Sequence, residues 1–118
     1  MLIRNLIQLI YQEVLGFKIL VSGGNYVEFA HEGVRFALCM RSVMHGYSEQ
    51  FQTAASGQIV ELAFPCGSPA AVDQCYDELV AKGAVPVRGP ENMPWRQRTA
   101  FFADPDGNIH EIFAELPE

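Results

Sequence analysis

The sequence predicts one α+β domain made of two related halves, and three observations point to it. The chain has 118 residues, which is the size of a single domain. Hydrophobic residues make up 49% of it and charged residues 19%, so it has enough apolar surface to build a core. The order helix, glycine, strand, hairpin occurs twice along the chain. Because internal repetition is a strong clue to topology, we expect two modules within residues 1–118.

The charge balance excludes several classes of partner. The net charge is −6 and the pI is near 4.9. Nucleic acids and anionic membranes both require basic patches, so neither is an expected partner. The apolar start of the chain is short and interrupted by polar residues, which is typical of neither a membrane span nor a signal peptide. An odd number of cysteines (Cys39, Cys66 and Cys75) without a CxxC pair indicates a reducing compartment, and we expect a cytoplasmic location.

The first half begins with a predicted helix over residues 2–15, which ends at Gly16, where a left-handed cap is expected. Its apolar stripe is wide, which indicates either a contact with a partner subunit or a generously packed core helix. Residues 17–21 are predicted to form a strand. Residues 26–30 and 34–41 are predicted to form a hairpin.

A polar stretch over residues 42–57 has no clear periodicity and predicts a connection that can act as a mobile lid. The domain organisation that follows is module one at 1–45, a linker at 46–57 and module two at 58–118.

The second half begins with a predicted strand over residues 58–64, whose apolar face is formed by Val60, Leu62 and Phe64. Ser68 is a favourable N-cap, and Pro69 suits the first turn of a helix that runs to about Lys82. We expect its inner side to consist of Val72, Cys75, Tyr76, Leu79 and Val80.

The rest of the second half is predicted to be mostly strand. Residues 84–87 are predicted to form one strand and residues 89–96 a loop. Residues 98–103 and 108–114 then form a hairpin, joined by a DPDG turn at 104–107.

Two motifs carry a family resemblance. The spacing of Tyr11, Leu15, Gly16 and Phe17 resembles the first-helix signature of the glyoxalase/bleomycin resistance/dioxygenase (vicinal oxygen chelate) superfamily. The segment MPWRQR at 93–98, followed by DPDGN and Glu111, resembles its final hairpin. The resemblance implies two βαβββ modules that form a glyoxalase-like mixed sheet. We expect the first module to lack its opening strand, because the predicted helix starts almost at the first residue; a start site placed too far downstream would give the same pattern.

Metal-dependent members of this superfamily hold a metal with four ligands. Carried over by the resemblance, the fourth position falls on Glu111 and the third on Glu61. The second falls near Ala37, which cannot bind a metal, and the first has no counterpart. Zinc and nickel sites need three or more protein ligands, so we expect no metal cofactor. A divalent ion (Mn, Ni, Zn or Fe) bound through Glu61 and Glu111 is the alternative.

Two arginines on the predicted strand 34–41 are candidates for neutralising these carboxylates. Strand alternation places Arg35 and Arg41 on the same face as Ala37. A guanidinium facing Glu61 and Glu111 would satisfy both without a metal. The alternative is that both arginines lie in solvent at the strand ends.

Other candidates have a structural explanation as well as a functional one. Trp95, with Met93 beside it, forms either an aromatic wall for a ligand or an anchor of the hairpin. His110 is expected to point to the face opposite Glu111. His45 begins the connection and is either a plain loop residue or a group that swings over the cavity. Glu28 is expected at the surface.

Three functional hypotheses follow. The leading one is a homodimeric protein that binds a small molecule through Arg35, Glu61, Trp95 and Glu111 and lacks a complete metal site. Exchange of elements between its subunits is one arrangement that the sequence allows. The second is a metal-dependent lyase, isomerase or dioxygenase of the glyoxalase I type, in which His45 or a neighbouring subunit supplies a third ligand. The third is a module that serves only for interaction.

Overall fold

The computed structural model describes residues 8–51, 57–58 and 60–118. The first part of the predicted helix, residues 2–7, lies outside the described residues. Packing divides the chain into two compact units. One consists of residues 16–57. The other combines the first fifteen residues with residues 58–118.

The unit of residues 16–57 contains a three-stranded antiparallel sheet. Its strands are β1 (Ile19–Gly23), β2 (Tyr26–Phe29) and β3 (Ala37–Cys39), in the order β1-β2-β3. Val27 and Phe29 are buried on one face. Phe29 belongs to an aromatic cluster with Phe17 and Phe36, in which ring centroids are 5.4 to 5.7 Å apart. The hairpin predicted from the apolar alternation is therefore present, with shorter strands.

Strand 34–41 was predicted too long. Arg41 is not on a strand but begins α2 (Arg41–His45), and a short 3₁₀ turn follows at Glu49–Phe51. The carbonyl of Met40 accepts hydrogen bonds from the backbone N–H groups of Val43 and Met44, which starts the helix. A five-residue helix is too short to show a helical period, so the sequence pattern did not reveal it.

The other unit contains a complete βαβββ module. Its elements are β4 (Ala63–Pro65), α3 (Pro69–Ala81), β5 (Val85–Asn92), β6 (Gln97–Ala103) and β7 (Ile109–Glu115). The strand order is β4-β7-β6-β5, with β4 parallel to β7 and the other pairs antiparallel. The predicted α+β class and the topology of the second module are thus present.

Helix α3 follows its sequence signals closely. The Ser68 hydroxyl accepts a 3.1 Å hydrogen bond from the Ala71 backbone N–H, and Pro69 is the first helical residue. Gly83, just beyond the helix, has the positive φ expected of a terminating glycine. The predicted inner side is confirmed except at Val80, which is exposed to solvent.

Helix α1 (Ile10–Val14) is a π-helical turn whose buried side belongs to the core of the second module. Ile10 is fully buried there, and Val14 and Leu15 pack against the same core. That core comprises Ile10, Val72, Leu79, Ala84, Ala100, Phe102, Ile112 and Ala114. The packing therefore groups the helix with residues 58–118, although the repeat assigned it to the first half.

Two strands of this unit differ from prediction. Strand 58–64 was expected, but β4 spans only Ala63–Pro65, and Val60 and Leu62 are exposed. Strand β5 instead continues to Asn92, through most of the predicted loop. Strand β5 includes Pro86 and Pro90, and it lies at the edge of the sheet, where a missing backbone N–H is tolerated.

Candidate functional site

The sheet face turned away from α3, called the open face below, carries the strongest candidate site. Strand alternation sends Ala100, Phe102, Ile112 and Ala114 into the core beneath α3. The intervening residues therefore point to the open face. There Phe101 lies opposite Glu111, and Thr99 lies opposite Phe113. These four side chains form a checkerboard, with two polar groups on one diagonal and two aromatic rings on the other.

Glu111 lies in the middle of this face and is half-buried. Its neighbour across the parallel pair is Ala63, whose small side chain leaves space beside the carboxylate. Burial raises the pKa of Glu111, and the nearby negative charge of Glu61 raises it further. Within the described residues, neither carboxylate has an ion-pairing partner.

Glu61 lies beside an open cavity of about 290 Å³. The cavity is lined by Gln58, Val60, Glu61 and Ile109. Leu62, which follows Glu61, accepts a 3.0 Å backbone hydrogen bond from the Glu111 N–H, so the fold brings these two predicted residues close together.

His110 points to the opposite face from Glu111, as the alternation predicted, and is buried. Its Nδ1 accepts a 3.2 Å hydrogen bond from the Leu62 backbone N–H. Since that nitrogen is an acceptor, the proton of the neutral ring lies on Nε2, which is 3.2 Å from the Tyr11 hydroxyl. Tyr11 in turn donates a 2.8 Å hydrogen bond to Asp104. Burial lowers the pKa of His110, which favours this neutral form.

The Asp104 carboxylate stabilises the turn that the DPDGN motif forms. One of its carboxylate oxygens accepts hydrogen bonds from the backbone N–H groups of Asp106 and Asn108, at 3.0 and 2.9 Å. The Asn108 side-chain amide also donates to both oxygens. The buried carboxylate therefore fixes the turn before β7, and with it the position of Glu111 on that strand.

Two side chains account for the early end of β4. If the parallel ladder continued, the Leu62 N–H would bond the Ile109 carbonyl. Instead that N–H donates to the His110 ring. The Gln58 side-chain amide donates to the Ile109 carbonyl at 2.6 Å and accepts from the Ile109 N–H at 2.8 Å. Side-chain hydrogen bonds thus replace the backbone hydrogen bonds between the two strands at this point, and the cavity lies beside them.

Thr99 is a candidate that the sequence analysis did not single out. It is fully buried, and its hydroxyl has no hydrogen-bonding partner among the residues that the structure describes. A buried unpaired hydroxyl costs stability and calls for an explanation. No sequence signal marks it, because threonine is common in strands.

The remaining predicted residues lie elsewhere. Trp95 is exposed in the β5–β6 hairpin, and its indole N–H donates to Gln97. Gln97 lies opposite Glu115, four residues along β7 from Glu111. At about 3.3 Å per residue this is roughly 13 Å, so the structure does not place Trp95 next to Glu111. His45 ends α2 in the other unit.

Arg35 also belongs to the unit of residues 16–57, where it precedes β3 and lies 3.7 Å from Glu28. Glu28 was expected at the surface, but its side chain is only 13% exposed. It accepts a 2.7 Å hydrogen bond from Tyr26 and lies 3.5 Å from His31. The Tyr26 bond is the main cause of its lowered pKa. Glu28 lies opposite Ala37, the residue at which the resemblance placed the second metal-ligand position. This module therefore has a carboxylate on the strand next to that position.

The two predicted metal ligands, Glu61 and Glu111, are both carboxylates. In the ranges that the structure describes, no group of three or more His, Cys, Asp or Glu side chains is placed to hold a metal ion. Glu61 and Glu111 supply carboxylate oxygen alone, whereas zinc and nickel sites usually include imidazole or thiolate ligands. Nor does any described helix have the length and hydrophobicity needed to cross a membrane.

Comparison with known proteins decides the family. A sequence model of the glyoxalase/bleomycin resistance protein/dioxygenase superfamily matches residues 10–112. The chain belongs to this superfamily. None of the curated proteins matches it.

Solved structures of this superfamily share its fold. A family enzyme from Burkholderia phytofirmans is 19% identical, with a TM-score of 0.83 over 95% of this chain and 90% of that one. A family protein from Nocardioides is 27% identical, with a TM-score of 0.69 over 96% and 76%. A lactoylglutathione lyase from Agrobacterium tumefaciens is 18% identical, with a TM-score of 0.63 over 93% and 84%. The superfamily contains diverse activities, so the site must indicate the function.

Proposed function

We propose that this superfamily member binds a small organic molecule on the open face, with Glu111 and Glu61 as its polar anchors and without a complete metal site. The observation that carries the proposal is the pair of neighbouring carboxylates with no ion-pairing partner among the described residues. The aromatic rings of Phe101 and Phe113 flank Glu111 and provide apolar contact area. Pockets of this kind combine apolar walls with a few polar groups.

The charge of the site favours a ligand that donates hydrogen bonds or carries a positive charge. The raised pKa of Glu111 reflects burial and the repulsion from Glu61. An ammonium or guanidinium group bound between the carboxylates would relieve that repulsion. The aromatic rings add a favourable cation–π contact for such a group.

NMR titration of isotope-labelled protein tests the proposal. Butylammonium is the probe, and 1-butanol is the uncharged probe of similar shape. We expect butylammonium to shift the backbone amide signals of Glu61, Phe101 and Glu111, and 1-butanol to shift them much less. Equal effects of the two probes, or shifts scattered over the whole surface, would refute the role of the carboxylates.

A matched pair of variants locates the effect. Glu111→Gln removes the central negative charge and is expected to abolish the response to butylammonium. Glu115→Gln makes the same change on the same strand, at a side chain that accepts a hydrogen bond from Gln97, and is expected to leave the response unchanged. If both variants lose the response, the effect comes from the net charge of the protein.

The metal-dependent enzyme is a second candidate, favoured by the closeness of two carboxylates, which are oxygen ligands suited to a hard ion. Elemental analysis after incubation with manganese, nickel, zinc and iron(II) separates the two proposals. Retention of about one metal per chain, lost in Glu111→Gln, would favour a lyase, isomerase or dioxygenase. Metal-free protein that still binds butylammonium supports the first proposal.

We also propose that the protein is a homodimer. Several large apolar side chains of the unit that carries the open face are exposed, among them Val60, Leu62, Val85 and Val87. Exposed apolar surface and unpaired sheet edges are commonly covered by a second subunit. Light scattering should give twice the monomer mass, and Val60→Asp should reduce it. A monomer mass at high concentration would contradict the proposal.

A further inference from the structure

We propose that His110 is a positioning residue. Through its Nδ1 it holds the backbone of residues 60–62 in the arrangement that places Glu61 beside Glu111. His110 lies on the face opposite the open face, so it acts on the site only through the backbone it binds. The consequence for ligand binding rests on the proposed function, whereas the placement of residues 60–62 does not.

The argument begins with the two backbone bonds of Leu62. Its carbonyl accepts a 3.0 Å hydrogen bond from the Glu111 N–H, as in a regular parallel ladder. Its own N–H, however, bonds the imidazole of His110 at 3.2 Å. The residue that precedes Glu111 on β7 thus determines how the residue that follows Glu61 is attached to the sheet.

The imidazole is itself held in one orientation. Its Nε2 side is fixed by the Tyr11 hydroxyl, which is bonded to Asp104 in the turn before β7. Its ring makes edge contacts with Phe64 and Phe102, at centroid distances of 5.7 and 6.0 Å. A ring fixed on two sides presents Nδ1 in a constant direction, which is what a positioning group requires.

Gln58 completes the arrangement. Because the Leu62 N–H is engaged by the ring, the Ile109 carbonyl is left for another donor, and the Gln58 amide takes it. The hydrogen bonds of the His110 ring and the Gln58 amide thus replace the backbone ladder at this point. The chain leaves the ladder here, where Gln58, Val60, Glu61 and Ile109 line the cavity. The cavity is therefore a product of side chains replacing strand pairing.

Hydrogen exchange of the Leu62 amide tests the inference. The reference is the Cys66 amide, which bonds the Phe113 carbonyl at the far end of β4 and does not depend on the imidazole. His110→Leu removes the acceptor and is expected to speed exchange at Leu62, relative to Cys66, by roughly tenfold. His110→Asn retains an acceptor oxygen near the Nδ1 position and is expected to restore most of the protection.

Tyr11→Phe is the control for general loosening, because it removes only the partner of Nε2 and leaves the bond from Leu62. The ring contacts of the imidazole with Phe64 and Phe102 also remain and keep its orientation. We expect Leu62 exchange relative to Cys66 to stay within about threefold of wild type in this variant. Equal exchange at Leu62 in His110→Leu and His110→Asn, or unchanged exchange in His110→Leu, would overturn the inference.

A measurement on the wild-type protein decides the question if His110→Leu does not fold. The ¹⁵N chemical shifts of the imidazole report which nitrogen carries the proton. A proton on Nε2, with Nδ1 coupled to the Leu62 amide, supports the inference, and a proton on Nδ1 overturns it.

Butylammonium titration of the same variants separates this inference from the proposed function. If exchange of the Leu62 amide becomes faster in His110→Leu and butylammonium binding weakens, the results support both this inference and the proposed function. If wild-type protein does not respond to butylammonium, the proposed function fails, while the exchange result still decides the role of His110.

Discussion

Tyr11 donates a 2.8 Å hydrogen bond to Asp104, which is 93 residues further along the chain. Both residues are buried. The bond joins the first helix to the turn before β7. It also fixes the hydroxyl that lies 3.2 Å from His110. The first helix and the segment of residues 104–110, which are distant in sequence, thus meet at one phenol oxygen, on the reverse side of the strand that carries Glu111.

Tyr11→Phe should lower the free energy of unfolding by about 1–3 kcal/mol, the range for loss of a buried hydrogen bond to a charged group. The loss arises because Asp104 keeps only its other donors and the His110 Nε2–H has no acceptor. Urea unfolding at pH 7.5 measures it. Tyr47→Phe, at a side chain that is largely exposed, is the control and should change stability little. Equal stability of wild type and Tyr11→Phe would show that the hydroxyl is not part of a buried network.

Thr99→Val should raise the free energy of unfolding by about 1 kcal/mol, because valine has nearly the same shape and removes a buried hydroxyl that has no partner among the described residues. Urea unfolding again provides the measurement, and Thr99→Ser, which keeps the hydroxyl and loses a methyl group, should instead lower stability. A loss of 1 kcal/mol or more in Thr99→Val would show that the hydroxyl is hydrogen-bonded in solution.

The second half of the fold was predictable because its signals are local. Ser68 and Pro69 mark the start of α3, and the turn at 104–107 separates two strands with clear apolar alternation. The placement of the first helix was not predictable. Its apolar residues indicate burial, but no periodicity tells which module's core contains Ile10.

The site was predictable only in part. Alternation put Glu111 and His110 on opposite faces, and the resemblance singled out Glu61. The early end of β4 was missed because it depends on the long-range bonds that Gln58 and His110 make to backbone groups of other strands. Patterns of apolar residues carry no information about such bonds, so an exposed Val60 was taken for a buried one.

Glu111→Gln should raise stability at neutral pH. The pKa of Glu111 is raised in the folded protein, so the folded state disfavours its charged form. For such a group, stability is fully present below the unfolded pKa of about 4.3 and is lost as the pH rises through the folded value. Glutamine removes that loss. The urea midpoint should therefore be higher in the variant than in wild type at pH 7.5, and the difference should shrink at pH 4.

Glu115→Gln is the control for this prediction, since Glu115 is exposed on the same strand. Its urea midpoint should follow wild type at both pH values. A lower midpoint in Glu111→Gln at pH 7.5 would mean that the carboxylate makes a favourable contact in the folded protein.

Acidification should destabilise the protein through His110. Burial lowers the pKa of this imidazole, although the nearby charges of Asp104 and Glu61 oppose the shift. The unfolded chain therefore binds a proton at about pH 6.5, before the folded chain does, and the free energy of unfolding falls as the pH drops below that value. Protonation would also place a hydrogen on Nδ1, the nitrogen that accepts the hydrogen bond from the Leu62 N–H in the neutral ring, and two N–H donors would then face each other. Unfolding measured between pH 7.5 and pH 5 should show a steeper loss in wild type than in His110→Asn, and parallel curves would exclude His110 as the titrating group.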